Sequence, residues 1–332
     1  MDIKSKIKKA VFMRPLIRIS HDALKVSLNL FKIMVPILIA VKILQELDLI
    51  GYIAIPLTPI MKFVGLPGEM GLVWATAILN NLYGAVVVLL SLIKDTPIST
   101  AQATVLCTMM LVAHTLPIEL KIAQASGPRL LFQALSRLGS AVVFGWFLHV
   151  FYTGLGLLQG PASILITQDA ADISHRETLY SWVLGVIQNL LYIFLIILGL
   201  FFFMQALKKL KIIDVINRSL GPFLKIMGIG PKASAIAMIG LTLGVSFGGG
   251  LIIHEARSGQ IDKKDVFFSI TLMGLSHSLI EDTLLMIMIG GHLSGILCAR
   301  LLLSTSIVAL IVKVSTYLPA DFCDRFLWGD PK

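Results

Sequence analysis

Met110-Leu111-Val112-Ala113-His114-Thr115-Leu116-Pro117-Ile118-Glu119 and Met273-Gly274-Leu275-Ser276-His277-Ser278-Leu279-Ile280-Glu281-Asp282 decide the fold. Each places a histidine after an apolar run and an acid four or five residues later. Slid past itself by 163 residues, the chain sets one stretch on the other, and a sparse ladder of further matches appears. Pro59, Lys62 and Gly65 meet Pro222, Lys225 and Gly228. Ile98, Gly127 and Arg137 meet Ile261, Gly290 and Arg300, and Glu119 meets Asp282 with its charge kept. A one-residue slip aligns Pro67 and Gly84 with Pro231 and Gly248. The matches fall on Gly, Pro, His, acid and Arg rather than on Leu, so an apolar composition alone does not produce them. Two halves that each bury polar residues in an apolar run are the pattern of membrane proteins built from internal repeats.

Composition fixes the class. Of 332 residues, 56% are apolar and 14% charged, against about a quarter charged in soluble domains; mean hydropathy is +0.88. Apolar runs such as 71–93, 130–158, 182–207, 233–253 and 293–314 reach the roughly 20 residues that a helix needs to cross a bilayer core. The expected fold is an all-α integral membrane protein. The net charge of +9 is read as cytoplasmic loops rather than nucleic-acid binding, since Lys and Arg gather on that side. Basic clusters at 4–18, 208–232 and 257–264 mark the cytoplasm, and the acidic stretch 159–177 the opposite side. This places the N-terminus in the cytoplasm and the protein in a bacterial inner membrane, with lipids as its first partners and a homo-oligomer as a further possible one.

The order of segments divides the chain into a basic amphipathic N-terminus (1–25), half one (26–155), a polar connector (156–180), half two (181–318) and a tail (319–332). Each half runs from a long apolar helix through a short amphipathic segment suited to the interface, 49–64 or 212–227, into an interrupted segment. The interruption is Asn80-Asn81-Leu82-Tyr83-Gly84 in half one and Ser246-Phe247-Gly248-Gly249-Gly250 in half two. Three adjacent glycines cost about 1 kcal/mol each in a helix relative to alanine. They serve either close helix packing or a re-entrant tip whose backbone faces a cavity. The two halves are expected to be inverted.

An ionisable residue at membrane depth is expensive and marks a functional site by default. The candidates for substrate or ion binding are His114, Glu119, Ser276, His277, Ser278, Glu281 and Asp282, with Asn80, Asn81, Ser246 and Gly248, Gly249 and Gly250 as amide, hydroxyl and backbone contributors. His277 and Glu281, at i and i+4, are expected on one helix face. Arg137 and Arg300, one helix later, are expected as structural ion-pair partners for Glu119 and for Glu281 or Asp282. Cys107, Cys298 and Cys323 have neither disulfide nor metal spacing. His254-Glu255 lacks the second histidine of a metalloprotease motif, which would fall at Ser258. No metal site and no cofactor are expected, and no nucleotide-binding loop is present. Trp74, Trp146, Trp182 and Trp328 are expected as interfacial anchors.

The order of long helix, interfacial helix, glycine-broken segment and His/Ser-rich break resembles the nucleoside-recognition or Gate domain, with Gly248-Gly249-Gly250, 276–281 and the His114 motif as its most specific pieces. That domain occurs in spore maturation proteins, in the membrane part of ferrous iron transporters and in relatives of concentrative nucleoside transporters. The resemblance implies two Gate repeats with a substrate site between broken helices. The expected function is a secondary transporter for a small polar or charged solute, coupled to a proton or sodium gradient. The alternatives are a non-transporting membrane scaffold and, less in keeping with the absent nucleophile, an intramembrane enzyme on a lipid-linked substrate.

Overall fold

The computed structural model describes residues 54–165, 179–212 and 253–331 continuously, and scattered positions within 20–52 and 215–241. Among these residues the chain is helical, and its only pairing of extended backbone is a bridge between Ser99 and Pro161. The described helices are α1 (Thr58–Phe63), α2 (Met70–Leu79), α3 (Leu82–Leu92), α4 (Thr100–Val112), α5 (Leu116–Ala125), α6 (Leu130–Gly154), α7 (Leu179–Lys209), α8 (Lys263–Ser276), α9 (Glu281–Met288), α10 (Arg300–Ser315) and α11 (Ala320–Phe326). A π-helical stretch, Ser294–Ala299, leads into α10.

Among the described residues, four stretches are long and apolar enough to cross a membrane: Thr100–Ala125, Leu130–Gly154, Lys263–Met288 and Ser294–Ser315. The first and third are broken, into α4–α5 and α8–α9. They are the inner pair, with 78% and 72% of their most apolar windows buried, against 33% and 28% for the two unbroken stretches. The unbroken helices therefore present apolar side chains such as Leu131, Leu135, Leu302 and Leu310 outward, where lipid replaces protein contact. The protein is an all-α membrane protein. Inside it, α4 packs along α6, α8 packs along α10, and α4 and α8 touch each other.

Local chemistry explains where the inner helices start and stop. Ser99 caps α4 with a capping box, its hydroxyl accepting from Gln102 N at 3.2 Å while Gln102 Oε1 accepts from Ser99 N at 3.0 Å. Pro117 falls in the first turn of α5, where its missing N–H costs nothing. The stretch from α4 to α5 turns on Thr115, held at φ 51°, and the stretch from α8 to α9 on Ser278, at φ 48°. Left-handed backbone is rare for residues other than glycine, above all for a β-branched one. It occurs here at two positions that the sequence alignment makes equivalent. The amides freed by the breaks find carbonyls on neighbouring segments: Thr115 N donates to Ala77 O at 2.9 Å, Ser278 N to Gly240 O at 3.4 Å and Leu279 N to Leu241 O at 2.8 Å. Gly127 (φ 118°) and Gly290 (φ 91°) turn the chain after the broken stretches, again at matched positions.

Two expectations change. Trp74 is buried, donating to Met109 O at 3.3 Å, and Trp328 packs on Phe267 and Phe268. The apolar rings satisfy the core here rather than the membrane interface; Trp146, stacked on Phe63 and exposed, keeps the interfacial character. Ser246 and Gly248 to Gly250 lie outside the described residues, as does most of 212–227.

Candidate functional site

The two histidines end the inner helices and meet. His114 follows the last turn of α4, His277 caps α8, and their Nε2 atoms lie 3.0 Å apart. Both are buried, at 5% and 2% exposure. Each ring is tied back to its own helix: His114 Nδ1 lies 3.0 Å from Met110 O and His277 Nδ1 2.9 Å from Met273 O. The same bond is thus made in both halves at the alignment's spacing.

Arg137 and Arg300 close the ends of the broken helices. Arg137 Nε donates to Val112 O at 2.9 Å and Nη2 to His114 O at 3.1 Å. Arg300 Nε donates to Leu275 O at 3.3 Å and Nη2 to His277 O. A helix C-terminus leaves carbonyls unpaired and carries partial negative charge, which a guanidinium answers on both counts. From here the halves differ. Arg137 Nη1 pairs with Glu119 Oε2, whereas Arg300 Nη1 has no hydrogen-bond partner, and neither has Asp282 Oδ2. Among the described residues, the expected pairing of Arg300 with Glu281 or Asp282 is not formed. Aspartate is one methylene shorter than glutamate, and Asp282 reaches toward His114, at 3.7 Å, instead.

The acids serve the opposite half's histidine. Glu119 Oε1 lies 3.2 Å from His277 Nε2 and 3.9 Å from His114 Nε2. The expectation that His277 and Glu281 share a helix face fails because α8 ends at Ser276 and α9 begins at Glu281. Glu281 faces half one, with Tyr83 Oη donating to its Oε1 at 3.4 Å. Tyr83 was not singled out in the sequence; its signal was a phenol placed just after the Asn80-Asn81 break. Asn81 caps α3 by accepting from Gly84 N at 2.8 Å and donates to Asn80 Oδ1 at 3.0 Å. Asn80 Nδ2 is buried without a hydrogen-bond partner. Ser276 spends its hydroxyl on Leu272 O of its own helix. His254, exposed, and Glu255, half-buried, lie on the helical stretch 253–257.

The structure therefore brings together His114, Glu119, His277 and Asp282, with Arg137, Arg300, Glu281 and Tyr83 around them. Among the described residues, His114, His277 and Asp282 also form a set whose ligating atoms lie within 4.8 Å of one another, suited to hold a metal ion. No local ligand spacing announces the set, since His277 and Asp282 lie five residues apart but His114 lies 163 residues before His277. A narrow cleft of about 20 Å³, room for about one water, opens beside Glu119 and Arg137 between α5, α6 and α8.

Residues 27–128 match the family described as Gate, nucleoside recognition. The chain is similar to the uncharacterized membrane protein YvoD of Bacillus subtilis (strain 168), 26% identical over 266 residues that cover 79% of this chain and 82% of that one. No solved structure matches the chain. The matched region holds the half-one break, His114, Thr115 and Glu119. The chain is accordingly a membrane protein whose residues 27–128 match the Gate, nucleoside-recognition family.

Proposed function

We propose that the protein is a secondary permease that passes a small polar or charged solute, coupled to an ion gradient, through a site at mid-membrane between two inverted halves. The observation that carries this reading is the contact of His114 with His277 at the broken ends of the two innermost helices, each ring flanked by the other half's acid. Discontinuous helices in transporters place half-helix ends and freed backbone at the substrate, and buried ionisable groups in a membrane mark ion or substrate paths. The narrow cleft beside Glu119, with room for about one water, fits a state that admits no bulky solute, as alternating access requires of one of its states. In this reading the basic clusters 208–232 and 257–264 face the cytoplasm of an inner membrane.

Purified protein in liposomes carrying a proton or sodium gradient should accumulate a member of a panel of cations, amines and nucleosides. The rate should fall tenfold or more in His114→Ala and in His277→Ala. Absence of any gradient-driven flux by the wild type, or wild-type rates in both variants, would sink the reading.

A second reading, a membrane scaffold, is favoured by the buried Arg137–Glu119 pair, which locks α5 to α6. It predicts no flux under any gradient, together with loss of a native-gel complex when Arg137→Met removes the pair.

A further inference from the structure

The two Nδ1 atoms decide what the two Nε2 atoms offer. A carbonyl oxygen only accepts, so the contacts with Met110 O and Met273 O require hydrogen on Nδ1 of both rings. A neutral imidazole carries one N–H. Each Nε2 is then a bare lone pair, and the two lone pairs face each other at 3.0 Å. They repel unless a positive centre lies between or beside them. Fixing the tautomer through a carbonyl on the far nitrogen is also the outer-shell arrangement that orients metal-bound histidines.

The rest of the surroundings fit such a centre. Asp282 Oδ2 stands 3.7 Å from His114 Nε2, buried and without a hydrogen-bond partner. Glu119 Oε1 stands 3.2 Å from His277 Nε2 and 3.9 Å from His114 Nε2, its sister oxygen being held by Arg137. Nitrogen and oxygen ligands at about 2.0–2.1 Å around a tetrahedral ion lie about 3.3–3.4 Å from one another. The separations here lie on both sides of that value. Imidazole together with carboxylate suits a first-row transition metal, whereas calcium and magnesium take oxygen ligands alone. Asp282 Oδ2 and Arg300 Nη1, both without a hydrogen-bond partner, stand where half one forms its Glu119–Arg137 ion pair, so Asp282 is left available to a ligand.

We propose that His114 Nε2, His277 Nε2 and Asp282 Oδ2 bind one divalent transition-metal cation of the zinc class at the meeting point of the two halves, with the fourth position left open. That the cation is the cargo rests on the permease reading; that it binds does not.

The test is a Co²⁺ titration of chelator-treated full-length protein in detergent, followed by its visible d–d bands, with Zn²⁺ competition. The wild type should take up one Co²⁺ per chain with the strong bands of a four-coordinate site, and Zn²⁺ should displace it. His277→Gln and Asp282→Asn, checked for folding by circular dichroism and gel filtration, should each bind at least tenfold more weakly. His292→Ala, which alters an exposed histidine outside the set, should bind as the wild type does. Octahedral bands, absence of saturable binding, or unchanged affinity in both folded site variants overturns the proposal; a proton shared by the two rings would give that second result. Zinc flux in liposomes separates the two claims. Binding without flux keeps the site and removes the cation as cargo. Gradient-driven flux of another solute without metal binding keeps the permease and removes the site.

Discussion

Arg137 and Arg300 begin alike and end differently, and a single methylene separates them. Both guanidinium groups answer the last carbonyls of a broken helix. Arg137 also holds Glu119, while Arg300 leaves Nη1 without a hydrogen bond because the matching acid is Asp282. Their equivalence is legible in the sequence; the difference is not, because it depends on side-chain reach. It has a measurable consequence. Arg137→Met strands a buried carboxylate and should cost about 3–5 kcal/mol. Arg300→Met only unpairs backbone carbonyls and should cost about 1–3 kcal/mol. Denaturation of the two variants in detergent, read by intrinsic fluorescence, measures the gap, and equal losses would show that the Glu119 pair adds nothing. Methionine keeps the volume of the arginine stem, so the comparison isolates the polar end.

At the scale of helices, the positions of the breaks follow from the sequence, since polar residues within an apolar run have to end a helix or line a polar interior. What the sequence hid is how the chain turns there. The left-handed Thr115 and Ser278 carry no local signature, being held by hydrogen bonds that their backbone N–H groups donate to distant carbonyls at Ala77 and Gly240. That turn is also why His277 and Glu281 part company despite their i, i+4 spacing. Gly127 shows the same dependence on distant chain. Its positive φ disfavours any side chain by about 1–2 kcal/mol, and an added Cβ would meet Gly329 O at 2.8 Å. Gly329 N in turn donates to Gly127 O, and Arg129 donates to Asp324 O, so this turn anchors the C-terminal segment. Gly127→Ala should therefore loosen α11 and speed tryptic cleavage after Arg325. Gly139→Ala, a change within α6 where a Cβ meets nothing within 4 Å, should leave cleavage at the wild-type rate. A gel time course distinguishes them, and equal rates would mean that the turn does not hold the tail.

Across the whole molecule the two halves are joined by an exchange that one-dimensional reading cannot reach. The sequence pairs each histidine with the acid next to it, because sequence neighbours are all it offers. In the fold each histidine has the other half's acid for a neighbour, since the two breaks abut at the positions that the alignment equates. The halves are also interlocked away from the histidines, through Gln133 Nε2 donating to Thr271 Oγ1 at 2.8 Å. If equivalence of the halves governs the site, its asymmetry should be movable. Glu119→Asp draws the carboxylate back from Arg137 and should destabilise the fold by a few kcal/mol, as a broken buried pair does. Asp282→Glu supplies the missing methylene on the other side, bringing a carboxylate to Arg300 Nη1. The double variant should then recover most of what Glu119→Asp loses, with the ion pair transferred from α6 to α10 and the acid facing the histidines now supplied by half one. A double-mutant cycle on thermal midpoints reads this directly, because contacting sites couple by about 0.5–3 kcal/mol whereas independent ones add. Simple additivity would mean that the two halves share a sequence pattern without sharing a site.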